Sequence, residues 1–232
     1  MTQRLSSQLG LNGEQAILLK KDIRVFLENR KPQAKRILVK FENTKAETLD
    51  IEKLFDEFWS EYQDLILEFT PMYSKYLVML NPSQINRFEK EFEDKNEEME
   101  EQIKEEDIDS TEDRFETFLG NLSKDQSATI AKNKANFIMA VSDRLARRKK
   151  YQKELLLILR GDIENQIKTS RVSKLTLAYN SKREISSAET MNLNTAVSIF
   201  SNLSSDQKTY LNSEIANYRE WIVMFSKESY TR

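Results

Sequence analysis

The 232 residues include no histidine and no cysteine. That removes Ser-His-Asp and Cys-His catalytic pairs, imidazole and thiolate metal sites, iron–sulfur clusters and disulfides, and it leaves the redox compartment open. Glycine and proline are scarce, at four and three residues, while Leu, Glu, Lys, Gln and Arg abound, a balance that favours helix over strand. No apolar run approaches the roughly 20 residues needed to cross a bilayer. The opening Met1-Thr-Gln-Arg is not a secretory signal. An excess of one charge is lacking too: 36 basic side chains face 38 acidic ones, so no global field draws in nucleic acid or an anionic membrane.

What is present can fill a core, with 39% hydrophobic and 9% aromatic residues. The expectation is one all-α domain over residues 11–228, an irregular bundle of about eight helices, several kinked at proline. Residues 1–10 are expected as a flexible remnant of a tether and 229–232 as a disordered tail.

One pattern recurs four times: leucine, then Asn or Ser, two variable residues, then glutamine. The copies are Leu11-Asn12 to Gln15, Leu80-Asn81 to Gln84, Leu122-Ser123 to Gln126 and Leu203-Ser204 to Gln207. Each reads as a capping box, the polar residue accepting from orphan N–H groups of the first turn and the glutamine reaching back to the cap. Successive glutamines are 69, 42 and 81 positions apart, too unequal for a strict solenoid. Of the four leucines, only Leu80 finds an apolar staple partner at the fifth position on, Ile85. Leu11 meets Ala16, and Leu122 and Leu203 meet Ser127 and Lys208, so these must pack on other helices.

Further punctuation comes from Pro32, which kinks or restarts the first helix, from a capping spacing at Thr44 to Glu47, and from Asp50 as the next cap. Thr70-Pro71 has the N-cap and N1 pattern, Gly120 and Gly161 stop helices, and Ser186 to Glu189 forms another box. Either Asp109 or Ser110 caps the helix before Gly120. The helix opened by Ser123 continues through Leu145 to Leu159.

The chemistry-bearing clusters have ordinary explanations. Acidic residues in 97–109 do not make a calcium loop, because Glu112 stands where glycine is needed and Phe118 where the bidentate glutamate belongs. The basic cluster Arg144, Arg147, Arg148, Lys149 and Lys150 reads as the wet side of an amphipathic helix, with the acidic stretch as an electrostatic partner. Carboxylate pairs such as Asp56 with Glu57, or Glu61 with Asp64, read as solvated helix faces and not as a glycosidase pair. Trp59, Tyr62, Tyr73, Tyr76 and Trp221 read first as core or core-edge aromatics, and otherwise as liners of a peptide or glycan groove. No catalytic residue, cofactor ligand or metal ligand is assigned, and the chain is expected not to be an enzyme.

The order Leu80-Asn-Pro-Ser-Gln84, Arg87, Phe88, Phe92, Asn96, Arg114 and Phe118-Leu-Gly-Asn-Leu-Ser-Lys-Asp-Gln126 resembles a family of proteobacterial lipoproteins of unknown function. Arg144, Gln152, Leu155-Leu156 to Arg160 and Leu203 to Gln207 with Trp221 extend the resemblance over about residues 11–228. It implies an all-helical body lipid-anchored on the periplasmic side of a membrane, the signal and modified cysteine having been replaced at Met1. With Met1 as the native start, a cytoplasmic location is expected instead. The motif is also similar to that of Spy- and CpxP-type periplasmic chaperones. The functional expectation is therefore a structural or protein-interaction module partnered by another envelope protein. The alternatives are a chaperone for unfolded clients and a peptide- or glycan-binding protein.

Overall fold

The computed structural model describes residues 2–42, 44–105, 109–181 and 185–227. Among them are ten α-helices and no strand. In chain order these are α1 (Thr2–Gln8), α2 (Gly13–Glu42), α3 (Ile51–Val78), α4 (Pro82–Lys104), α5 (Asp109–Leu119), α6 (Lys124–Lys132), α7 (Lys134–Arg160), α8 (Asn165–Ser181), α9 (Ser187–Phe200) and α10 (Ser205–Lys227), with a 3₁₀ turn at Ala46–Thr48 between α2 and α3. The all-α class is as expected, with two helices more than the eight anticipated.

Both additions have local causes. Thr2–Gln8, expected within a flexible segment, is helical, and Leu9 just after it is buried against Leu5 in a core. The predicted long helix from Ser123 divides at Asn133, whose Nδ2 donates to the Thr129 carbonyl and whose backbone leaves helical geometry (φ −99°, ψ 9°). Asparagine bonds nearby backbone in competition with the helix ladder, so it can end one helix and begin the next without proline or glycine. The expected tail at 229–232 lies outside the described residues.

Two further expectations are corrected. Helices α2 and α3 run on through Pro32 and Pro71, so neither proline starts a new helix. Thr70 is therefore no N-cap: it is buried, and its hydroxyl donates back to the Ile66 carbonyl at 2.6 Å, which satisfies it inside the helix. Thr44 likewise bonds back to Lys40 O (2.9 Å), and the 3₁₀ turn has Lys45 at its N-cap with no side-chain bond. Asp50 does cap α3, accepting from Lys53 N–H, and Pro82 takes N1 of α4. Asp109 and Ser110 are already within α5, so the residue before it falls outside the described residues.

Apolar side chains gather in two clusters. The first contains Leu19, Ile23, Tyr76, Leu77, Leu155 and Val172, drawn from α2, α3, α7 and α8. The second contains Leu119, Ile130, Ile199, Leu211 and Ile215, from α5, α6, α9 and α10. Burying each such leucine or isoleucine contributes about 1.5–3 kcal/mol, so either cluster is disrupted by one large-to-small change. Helix α3 packs on α8, α4 on α7, and α10 on α2, while α7 also touches α8 and α9. The α4–α7 seam joins acidic to basic: Glu100 pairs with Lys149, Glu89 with Arg160, and Asn96 donates to Gln152 at 2.8 Å.

Candidate functional site

The four motifs meet two by two. All four form reciprocal capping boxes. Asn12, Asn81, Ser123 and Ser204 accept from the backbone of the glutamine three residues on, at 2.9–3.2 Å, while the glutamine Oε1 accepts the cap's N–H. That leaves each amide its Nε2. Gln84 donates to Gln15 Oε1 (2.8 Å) and to the Gly10 carbonyl (2.7 Å), and Gln15 donates to the Met79 carbonyl (3.1 Å). In the same way Gln207 donates to Gln126 Oε1 (2.8 Å) and to the Asn121 carbonyl (3.0 Å).

These are polar latches between loops. Gly10 and Gly120, at φ +58° and +66°, precede the first and third motifs; a Cβ on Gly10 would press on Arg87 and one on Gly120 would lie in contact with the Tyr210 ring, each three residues past the opposing glutamine. Leu80 and Ile85 are buried together in the first cluster, as the staple reading requires. Leu11 packs on that cluster, and Leu122 and Leu203 join the second, on neighbouring helices. The motif residues thus bind one another and hold the frame.

A groove of about 790 Å³ opens elsewhere, between α3, α7, α8 and α9. Its aromatic lining is Phe55, Trp59 and Tyr62 from α3, Tyr151 from α7 and Tyr179 from α8. Trp59 lies 5.4 Å from Tyr62, and Tyr151 stacks on Tyr179 at 4.6 Å. The phenols are tied down: Tyr62 donates to Asn180 Oδ1 (3.0 Å), and Tyr151 shares a bond with Thr176 (3.0 Å). Burial pushes the hydroxyls of Tyr62 and Tyr151 above the usual phenol value, so both stay neutral at physiological pH.

Charge enters from α7, which contributes Arg144, Arg147, Lys150 and Glu154 to the lining. Arg147 pairs with Glu189 at 2.9 Å, and the other oxygen of Glu189 accepts Ser186 N–H in the capping box of α9. Arg144, Lys150 and Glu154 are exposed and make no hydrogen bond or ion pair among the described residues. Asn192 adds a buried Oδ1 without a hydrogen-bond partner.

The structure thereby sorts the sequence candidates. The basic cluster is split by helical periodicity, Arg144, Arg147 and Lys150 toward the groove and Arg148 and Lys149 toward Met99 and Glu100 of α4. Trp59 and Tyr62 are groove liners. Tyr73 packs on the first core, Tyr76 is fully buried with its hydroxyl donating to Asp22 (2.9 Å), and Trp221 is 73% exposed on α10, outside the groove lining. Glu61 is not a solvated helix-face acid. It is buried, accepting from Gln33 (3.1 Å), Arg36 (3.2 Å) and Lys40 (3.2 Å). Sequence reasoning missed Leu175, Tyr179, Ile185 and Leu193; only the 151, 154 and 144, 147 spacing on one face of α7 hinted at a lined surface.

The fold and groove define an all-helical protein with an aromatic, partly cationic cleft. The chain belongs to a family of unknown function (DUF6279), whose model matches residues 8–178. The match takes in three of the motifs and most of the groove wall, and ends before α9 and the fourth motif. No curated protein and no solved structure matches the chain.

Proposed function

We propose that the protein is a non-enzymatic interaction module whose recognition surface is the groove between α3, α7, α8 and α9. The carrying observation is the convergence of five aromatic rings from three helices and three cations from α7 on one cleft of a volume suited to a ligand or peptide segment. Of the two acids in the lining, Glu189 supports recognition over catalysis, since it has one oxygen on Arg147 and the other on a backbone N–H. Of the envelope expectations, a periplasmic, lipid-anchored body rests on the lipoprotein resemblance, and metabolic labelling of the full precursor with a fatty acid tests it.

Binding at the groove is tested by filling it. Ala178 lines the groove and is exposed, so Ala178→Trp occupies the cleft without touching either core. Selection from a displayed random pentapeptide library is expected to enrich sequences on the wild type and none on this variant, with equal melting temperatures. Equal enrichment on both, or none on either, removes the groove from the reading.

A second reading, a chaperone for unfolded clients, is favoured by Trp221 and Met224, 73% and 56% exposed on adjacent turns of α10. Its test is suppression of citrate synthase aggregation at near-stoichiometric amounts, lost in Trp221→Ser.

A further inference from the structure

Charge along the groove is ordered. Arg144 and Arg147 stand at one end of the α7 wall and Glu154 at the other, with Tyr151 between them. Ten residues of helix separate Arg144 from Glu154, about 15 Å at 1.5 Å per residue. Glu189 cancels Arg147, which leaves Arg144 and Lys150 as uncompensated cations and Glu154 as the uncompensated anion among the described lining residues. Lys150 sits one turn before Glu154 and tempers it, so the sharpest polarity runs from Arg144 to Glu154.

An occupant that matches this wall has a negative group, about 15 Å of apolar or aromatic body, and a positive group. An extended chain advances about 3.3–3.6 Å per residue, so four to five residues span the distance. We infer that the groove binds a short extended peptide segment in one direction, its carboxylate at Arg144, its amino or lysine group near Glu154, and its apolar side chains on Trp59, Tyr62 and Tyr179. A dipolar ligand is fixed in orientation by two charges of opposite sign, whereas a simple amphipathic anion leaves Glu154 unmatched and opposed. The N–H groups of an extended peptide also offer donors to the buried, unpartnered Oδ1 of Asn192 at the groove edge.

This inference rests on the groove being a recognition surface, and the experiment separates the two. The chain has two tryptophans, so Trp221→Phe leaves Trp59 as a reporter inside the groove. The probes are the peptide Lys-Phe-Ala-Phe-Ala as the free acid, the same peptide as its C-terminal amide, and laurate. In the Trp221→Phe protein the free acid is expected to shift Trp59 emission saturably and to bind about 3- to 5-fold more tightly than the amide, the range of one exposed ion pair. Arg144→Gln should abolish that preference and leave amide binding unchanged, and Glu154→Gln should weaken acid and amide equally. Acid and amide binding alike, with Arg144→Gln silent, overturns the directional inference while leaving the groove a binding site. Laurate binding more tightly than either peptide overturns it in favour of a lipid-like anion. No response of Trp59 to any probe removes both the inference and the groove reading.

Discussion

The two latches apply one chemistry to different surroundings. In the first, joining the motifs at Gln15 and Gln84, both caps are asparagine and both amides reach across to a carbonyl of the opposing loop, Met79 or Gly10. In the second, joining Gln126 and Gln207, both caps are serine, and only Gln207 reaches a loop carbonyl, while the two amides bond each other in both directions, where in the first only Gln84 donates to its partner. Gln126 and Gln207 are both buried, whereas Gln15 is half-buried at the edge. Asparagine and serine are interchangeable as caps because either supplies the one acceptor needed. Glutamine is not interchangeable with glutamate, because the latch uses Oε1 for the capping box and Nε2 for the partner. The Ser186–Glu189 box makes the contrast: there a glutamate completes the box and turns its other oxygen to an arginine.

The widest separation between latch and simple cap comes from Gln207→Glu. A carboxylate preserves the capping box but sets a buried charge against the Asn121 carbonyl and Gln126 Oε1, and a loss of about 3 kcal/mol or more is expected in urea unfolding. The same change at half-buried Gln15 should cost about 1 kcal/mol. Equal tolerance at both positions would reduce the motifs to helix starts alone. A smaller effect follows from Ser204→Ala and Asn12→Ala, about 0.5–2 kcal/mol each, with the buried second latch toward the upper end. Swapping the caps, Ser204→Asn, should be near neutral by the same measurement.

The smallest effect concerns pH. The latches are neutral amides and hold from acid to alkali, in contrast with the ionised tie of Glu61 to α2. Burial alone would raise the Glu61 carboxyl, but bonds from Gln33, Lys40 and Arg36 outweigh it and hold the group below its ordinary 4.5. Asp22, between Lys75 and Tyr76, is lowered from 3.8 for the same reason. Their contribution is complete above those ordinary values and is lost as pH falls through the lower folded ones. Unfolding free energy should therefore fall below about pH 4.5, and Glu61→Gln should flatten the slope. An unchanged slope in that variant would assign the acid sensitivity to other carboxylates.

Much of the frame was legible before the structure. Gly120, Gly161, Asp50, Ser186 and the four motifs mark helix boundaries because side-chain caps and terminal glycines, left-handed at Gly120 and extended at Gly161, act within one turn, and a one-turn pattern is visible in sequence. Local rules failed where a side chain had more than one partner to choose from. Thr70 bonded its own helix in place of capping the next, and Asn133 broke a helix that its apolar neighbours would have continued.

Composition and spacing alone determined that this chain is helical, where most of its helices begin, and which chemistries its missing histidine and cysteine forbid. Tertiary structure decided what the motifs are for, because the Nε2 of each glutamine, left over from the capping box, finds its acceptors 64 to 86 residues away. It also decided the groove, since five rings from three helices and a divided basic cluster become one surface only when α3, α7, α8 and α9 are packed together.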